Sequence, residues 1–530
     1  MKKIFSILCA ALLAASCHFL DEQPKDQTDE SRIVSDVRSL YLATLGDLYA
    51  RFGSDQSGEG IAGTDRGIYD IQTFTTDEAM IPTRGADWYD GGLWERLFKH
   101  EWETGEAPFK NAWNYLYGMV VQSNRSLARL ERFRETVKDD PFFIEMYYST
   151  YKAELRAVRA FMYYYLLDLF GRVPIVKDEE VRLSDVGQSR RSEVFGFVRT
   201  ELEEILPDLP YERSNTPGDT RSNCYGHITR PVAFMILAKL YLNADVWMDD
   251  DWMDESVPGH PDCYRRVLDY CDSITHFGPR AYGLTKVYTD NFCSVNDNSE
   301  ENILTIPTDP TFYQAEFHYL FRSLHYDHAA ALGMSGENGP CATLTVLEAN
   351  HYDREDEDPR LRLNYWCGYA LDNTGLPVLT PSGEMLEYKP LSVKLDLSGD
   401  PDEKVAGARM RKYGIDANIR KDGKRVKNDI VIFRYADVLL MRAEAMIRLG
   451  QDGKTLVNLV RNRVEAPERE TVTLDDVLEE RLIELCWEGH RRQDLIRFGR
   501  FGRARDIVFP IPADVLAVNS RLTQNPGYDD

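Results

Sequence analysis

Acidic, basic and aromatic side chains crowd into one short segment between Thr76 and Trp102. The segment holds Asp77, Glu78, Arg84, Asp87, Trp88, Tyr89, Trp94 and His100. A sugar presents C–H faces beside hydroxyl groups, so its site needs an aromatic plane flanked by carboxylates, amides or guanidinium groups. The run from Trp88 to Gly92 offers that combination on a glycine-rich loop. We therefore predict ligand contacts from Arg84, Asp87, Trp88, Tyr89 and Trp94; the alternative is that the aromatic rings belong to the core.

The same carboxylates allow a second hypothesis, a surface glycoside hydrolase that uses Asp77 and Glu78 with Asp87. Glycoside hydrolysis needs two acids on opposite sides of one bond, and adjacent acids seldom reach both sides. The sequence also lacks a Gly-x-Ser-x-Gly elbow, a phosphate loop and a dinucleotide fingerprint. A binding protein without catalytic residues is therefore the preferred interpretation.

Metal and cofactor chemistry has little support in the sequence. Five acids between Asp353 and Asp358 could hold calcium, but Asp358 stands where an EF-hand loop needs glycine. A solvated acidic loop is favoured, structural calcium stays an alternative, and no cofactor is predicted. The cysteines are scattered and form no Cys-x-x-Cys pair. Trp247 and Trp252 lie among acids and form a weaker candidate site, or simply cap a helix pair.

Charge and the N-terminus limit the possible partners. The formal net charge of the 530-residue chain is −24 at pH 7, which argues against nucleic acid as a partner.

Lys2 and Lys3 precede an apolar run that ends in small residues before Cys17. This pattern predicts a signal peptide over 1–16 and resembles a bacterial lipoprotein box, which implies lipidation of Cys17 and attachment to a membrane.

Apolar residues recur at helical spacing through much of the chain. We predict helices over 31–52, 107–133, 141–170, 192–206, 230–244, 262–276 and 429–449. The stretch 277–428 is rich in turns and reads as strand only briefly, at Ile303 to Ile306. Such a stretch commonly carries the specific surface of a protein.

The C-terminal region begins with an amphipathic helix that starts at Leu474 and is predicted to run without a break. This helix would set Glu484 over Glu488 and His490 over Asp494. Such side chains usually form ion pairs with residues of neighbouring helices and fix the register between the helices. A catalytic carboxylate pair is the alternative, but two acids on one helix face suit it poorly.

The C-terminal residues also carry a family resemblance. The runs ELCWEGHRRQDLIRFG, FPIPADVLAVN and LTQNPGY follow one another in order. Together they resemble the closing signature of the SusD/RagB family. The resemblance implies a mainly α-helical fold: degenerate tetratricopeptide-like helix pairs covered by long irregular loops with a few short strands. It further implies a lipidated tether over 17–30 and one binding domain over 31–530, with the ligand loops in about 277–428.

The resemblance adds a second group of candidate residues. Leu324-His325-Tyr326 and the run from Gly336 to Gly339 resemble the family's middle block, where ligand loops lie. We predict that His325 and Tyr326 meet the first group across a shallow cleft, with Asn338 as a further contact. The alternative for His325 is a structural role.

The resemblance also implies a function and a location. The protein would be a lipid-anchored, outer-membrane, cell-surface protein that captures an oligosaccharide without cleaving it. It would then pass the ligand to a SusC-like TonB-dependent transporter. The same role with a peptide as cargo is an alternative.

Overall fold

The computed structural model describes residues 34–54, 56, 58–215, 224–254, 259–278, 281–309, 311, 319–416 and 422–528. The predicted signal peptide, Cys17 and the tether over 17–30 lie outside these residues. The chain divides into two compact units, residues 1–43 and 44–530. In the described part, no helix has both the length and the apolar character needed to cross a bilayer.

Helices dominate the described chain. Up to residue 205 they are α1 Val37–Tyr41, α2 Asp47–Gly53, α3 Ile68–Thr73, α4 Leu93–Lys99, α5 Ala107–Thr136, α6 Pro141–Phe143, α7 Ser149–Phe170 and α8 Arg191–Ile205. The middle of the chain adds α9 Arg230–Leu242, α10 Ala244–Trp247, α11 Pro261–Thr275, α12 Tyr319–Ser323, α13 Tyr326–Ala331, α14 Leu344–Ala349 and α15 Arg360–Asn364. The last are α16 Tyr435–Arg448, α17 Lys454–Asn462, α18 Leu474–Leu485, α19 Arg491–Arg497 and α20 Ala513–Val518.

Shorter helical turns join these elements. Two are π-helical, Leu42–Gly46 and Ile144–Tyr148. Five are 3₁₀, namely Asp90–Gly92, Leu183–Asp185, Tyr288–Asn291, Asn296–Asn298 and Ala504–Ile507. Five of the seven predicted helices have ends within three residues of the prediction, with one of the π-helical turns inside 141–170. The helix predicted over 31–52 begins at Val37 and contains the other π-helical turn, and residues 31–33 lie outside the described part.

The long helices pack on one another in chain order. Helix α5 packs on α7, α7 on α8, and α9 on both α8 and α11; α11 in turn packs on α16, which contacts α17 and α18. Helix α9 is buried on nearly every side, because its apolar residues surround the whole helix and α7, α8, α11 and α16 all contact it. Each helix of this series therefore buries its apolar face against its neighbours.

The strands are short and pair two by two. They are β1 Ala79–Met80, β2 Asn302–Ile306, β3 Cys341–Ala342, β4 Tyr365–Trp366, β5 Gly368–Tyr369, β6 Glu387–Tyr388, β7 Arg409–Met410 and β8 Ile430–Arg434. The antiparallel pairs are β1 with β3, β2 with β8, β4 with β7, and β5 with β6. The strand predicted at Ile303 to Ile306 lies within β2, and the other strands of the turn-rich stretch 277–428 were not predicted.

The prediction of one helix over 429–449 is wrong at its start. Residues Ile430–Arg434 form the buried strand β8, and the helix begins at Tyr435. Ile430, Val431 and Ile432 are β-branched and favour a strand. The partner strand β2, more than 100 residues away, completes the pair.

The prediction of an unbroken C-terminal helix is also wrong. Helix α18 ends at Leu485, and Trp487 and Gly489 have φ of 62° and 72°, so the chain turns before α19. The Trp487 N–H donates to the Glu78 carboxylate at 2.8 Å, a contact that an unbroken helix would not allow. Glu488 therefore does not lie one helical turn below Glu484.

Candidate functional site

The first candidate loop lies between β1 and α4 and has an unusual backbone. Arg84 and Asp87 exchange two backbone hydrogen bonds of 2.9 and 3.1 Å, which close a tight turn. Just beyond it, Trp88 and Asp90 have φ of 63° and 42°. This left-handed conformation is unfavourable for residues with a side chain, so surrounding contacts must hold it.

Trp88 provides the first of those contacts. Its indole Nε1–H donates to the Glu337 carbonyl at 2.8 Å. A Cβ atom at position 339 would lie 2.5 Å from the indole ring, so only glycine permits this approach. The Arg322 guanidinium lies 5.3 Å from the ring centroid and pairs with buried Asp70 at 2.8 Å. Trp88 thus joins the two candidate segments and is only partly exposed.

Trp94 belongs to the core. Its side chain is 2% exposed, its Nε1–H donates to Asp90 at 2.7 Å, and its ring meets Phe74 edge-on at 5.9 Å. A ligand cannot stack on a ring that is enclosed in this way. The alternative stated for the aromatic residues, a place in the core, therefore holds for Trp94.

Exposed polar groups of the two segments meet beside Trp88. The Tyr326 hydroxyl donates to Asp87 Oδ2 at 2.6 Å, and Lys404 Nζ donates to the same atom at 3.2 Å. The hydrogen bond from Tyr326, followed by Lys404, lowers the pKa of Asp87. Tyr326 is 40% exposed and Tyr89 is 60% exposed. Of the two residues predicted to meet the first segment across a cleft, Tyr326 does so, by a direct hydrogen bond.

Arg84 and Asn338 lie beneath this surface and are fully buried. Arg84 donates to three loop carbonyls, those of Gly339, Glu403 and Ala406. Arg409 donates to the Asn338 side-chain oxygen at 3.0 Å, and Asn338 donates to the Lys404 carbonyl at 3.0 Å. Burial excludes the direct ligand contact predicted for Arg84 and Asn338. Their side chains hold the loop that presents Lys404.

His325 is also a structural residue, the alternative stated above. Its backbone N–H donates to the Tyr388 hydroxyl at 3.0 Å, and that hydroxyl lies 3.0 Å from His328 Nδ1. His328 Nε2 lies 3.2 Å from the Leu371 carbonyl, so it carries the proton and donates there. The His325 Nδ1 accepts from the Asp327 N–H and caps α13. Burial lowers the pKa of His325 and of His328 to about 4. The nearby Arg409 guanidinium contributes to the shift of His325.

The carboxylates of the hydrolase hypothesis are engaged elsewhere. Asp77 accepts two hydrogen bonds from Arg491, at 2.6 and 2.8 Å. Glu78 is buried and accepts the Trp487 N–H. Burial raises the pKa of Glu78 to about 7. Glu78 has no access to solvent, and the Asp77 carboxylate is paired with Arg491.

The acids of the C-terminal helix belong to a buried ion network. Glu484 contacts Arg360 at 2.9 Å, Arg434 at 2.5 Å and Arg463. Burial alone would raise the pKa of Glu484, but Arg463, Arg434 and Arg360 bring it well below its usual range. The prediction that these charges join neighbouring elements is confirmed, and a catalytic pair has no support.

The remaining candidates are the acidic loop and the two tryptophans near residue 250. Within the described residues, no group of three or more His, Cys, Asp or Glu side chains could hold a metal ion. In the acidic loop, Asp356 pairs with His351 and Asp358 with Arg360. Trp247 and Trp252 are both buried.

Residues important to the site geometry were not predicted. They are Asp70, Arg322, Tyr388, Lys404 and Arg409. Each is an isolated residue of a common type, far from its partners in sequence: 317 positions separate Lys404 from Asp87. The only signal was that the stretch 277–428, which holds four of them, would carry the specific surface.

The described chain is a mainly helical scaffold that presents loop side chains on its surface. The comparisons give the family. A family model described as "SusD family" matches residues 356–506, and one described as "Starch-binding associating with outer membrane" matches residues 19–242. Both models describe SusD-type proteins and match separate parts of the chain, so the resemblance to the SusD family noted in the sequence is confirmed.

Similar proteins span nearly the whole chain. The starch-binding protein SusD of Bacteroides thetaiotaomicron is 25% identical and covers 100% of this chain and 99% of its own length. A SusD-like protein of Bacteroides ovatus is 23% identical, covering 94% and 83%. A solved SusD homologue of B. thetaiotaomicron has a TM-score of 0.72 at 18% identity, covering 94% and 99%.

A further solved relative carries a ligand. It is surface glycan-binding protein A of B. thetaiotaomicron in complex with laminarihexaose, with a TM-score of 0.67 at 19% identity, covering 92% of this chain and 99% of the other. These structures have the same mainly helical fold, and the predicted fold class is confirmed.

Proposed function

We propose that this protein captures an oligosaccharide at the surface formed by Asp87, Tyr89, Tyr326 and Lys404. The observation that carries the proposal is the contact between Tyr326, at the start of α13, and Asp87, 239 positions away in the chain. Two exposed tyrosines offer planes for C–H faces, while a carboxylate and an ammonium group can bind hydroxyls. Arg84, Trp88, Trp94, His325 and Asn338 position these groups from below.

Binding without cleavage agrees with the arrangement of the acids. Asp87 is the exposed carboxylate of this surface, and its pKa is lowered. A general acid for glycoside hydrolysis needs a raised pKa and a second carboxylate across the bond. Asp77 and Glu78 are turned toward Arg491 and Trp487 and do not supply that group.

The proposal extends to delivery and location. The protein is attached to the outer membrane by lipid on Cys17, faces the outside of the cell, and passes its ligand to a SusC-like TonB-dependent transporter. Support comes from the family description that names association with the outer membrane and from the lipoprotein-like N-terminus.

Calorimetry on the unlipidated chain from His18 onward tests the proposal. A panel of plant and host oligosaccharides is titrated, and each ligand is recovered for size analysis. Heat with intact ligand is the expected result. Shortened ligand would establish a hydrolase. Heat with peptides alone would show that the ligand is a peptide and not a glycan.

A further inference from the structure

An open groove lies along helix α13, whose first residue is Tyr326. Its volume is about 430 Å³, and it lies between helix α13 and the turns of the β5–β6 ribbon. Its lining residues are Asp327, Ala330, Ala331, Asp372, Pro377, Val378, Leu379, Thr380 and Pro381. Asp327 directly follows Tyr326 in the chain, so the groove and the proposed surface share one helix.

The floor and wall of the groove have a composition suited to a chain of sugar units. Ala330 and Ala331 are exposed and leave the floor flat. Leu379 is 59% exposed on the opposite wall. These apolar surfaces can pack against C–H faces, while Asp327 and Thr380 can bind hydroxyls. The volume falls within the range of roughly 300–1,000 Å³ typical of ligand sites.

The two sides of the groove are held in a fixed relation. His328 on α13 reaches the Leu371 carbonyl on the ribbon, and its other nitrogen contacts Tyr388 of β6. Beneath the ribbon, Ala370, Val378, Leu386 and Tyr388 form a small core of their own. A groove that is already formed loses little freedom when a ligand binds, which favours affinity.

Resting on the function proposed above, we infer that this groove binds further units of the same oligosaccharide that contacts Tyr326. The protein would then select chains longer than a disaccharide. A short sugar fills only the surface around Asp87 and Tyr326, whereas a longer chain runs along α13 into the groove and gains additional contacts.

The substitution Ala331→Arg tests this inference. Position 331 is exposed on a helix, and arginine is a good helix former, so the fold should persist while the long side chain fills the groove. Thr200→Arg, at an exposed position on α8, is the matched control with the same change of charge. Calorimetry with laminaribiose, laminarihexaose, maltose and maltohexaose measures affinity for short and long chains.

In the expected result, Ala331→Arg weakens hexasaccharide binding roughly tenfold or more, disaccharide binding does not change, and Thr200→Arg matches the wild-type protein. Unchanged hexasaccharide affinity in Ala331→Arg would overturn this inference alone. An equal loss for both chain lengths would also overturn it, because the variant would then have disturbed the Tyr326 surface. No heat with any of the four sugars for the wild-type protein would reject this inference, whereas heat with another member of the panel above would preserve the proposed capture of an oligosaccharide.

Discussion

The Tyr326 hydroxyl lies 2.6 Å from Asp87 Oδ2 and donates a hydrogen bond to it. This contact ties α13 to the turn after β1 and holds Asp87 in its charged form. It also places an aromatic ring and a carboxylate side by side at the surface. The arrangement accounts for both the shape and the polarity of the proposed ligand surface.

Replacing Tyr326 by phenylalanine should raise the pKa of Asp87. The Tyr326 hydrogen bond is the largest of the effects that lower it, and phenylalanine keeps the ring while removing the donor. Carboxyl NMR titration measures the change. Tyr89→Phe is the control, because the Asp87 carboxylate receives its hydrogen bonds from Tyr326 and Lys404. An Asp87 pKa that is the same in Tyr326→Phe and in the wild-type protein would contradict the prediction that the Tyr326 hydrogen bond lowers it.

Gly339→Ala should destabilise the protein by about 1–3 kcal/mol. The new methyl group would lie 2.5 Å from the Trp88 ring, which is fixed by its bond to Glu337 and cannot move freely. Gly118→Ala is a matched control within helix α5, where a Cβ meets nothing within 4 Å. It should stabilise the protein by roughly 0.5–1 kcal/mol. Urea unfolding of both variants checks the prediction, and equal stabilities would contradict it.

Glu484→Gln should cost about 3–5 kcal/mol in the free energy of unfolding, the usual effect of removing one member of a buried ion pair. The change leaves Arg360, Arg434 and Arg463 without one of their shared carboxylates. Glu479→Gln removes a partly exposed partner of Arg469 and should change stability by about 1 kcal/mol or less. Chemical denaturation compares the two; similar losses would show that burial of the network matters little.

Glu78 should make stability depend on pH between about 4.5 and 7. Burial raises its pKa from 4.5 to about 7 in the folded protein, so the folded state binds more protons than the unfolded state over this interval. The contribution of Glu78 to the free energy of unfolding is therefore fully present below pH 4.5 and is lost as pH rises through 7.

The variant Glu78→Gln isolates this effect, because its amide oxygen can still accept the Trp487 N–H. The stability of Glu78→Gln relative to the wild-type protein should increase from pH 4.5 to pH 7 and then level off. Denaturation at several pH values measures the difference. A difference that does not vary with pH would show that Glu78 titrates normally.

The sequence by itself determined the elements whose signal is local. The helices of residues 107–275 were predicted within a few residues because apolar side chains repeat at 3.6-residue spacing over several turns. The C-terminal runs identified the family, and the density of Asp87, Trp88 and Tyr89 beside glycines marked a loop of interest. These signals need no knowledge of distant partners.

Only the tertiary structure decided which side chains are exposed and where helices break. Trp94 and Tyr89 lie in the same short segment, yet one is in the core and the other faces solvent, because Phe74 and Arg322 enclose only the former. The turn after Leu485 is held by a hydrogen bond from Trp487 to Glu78, 409 positions away. Residue type gives the chemistry of a side chain, but its burial and hydrogen-bond partners are set by segments that meet only when the chain is folded.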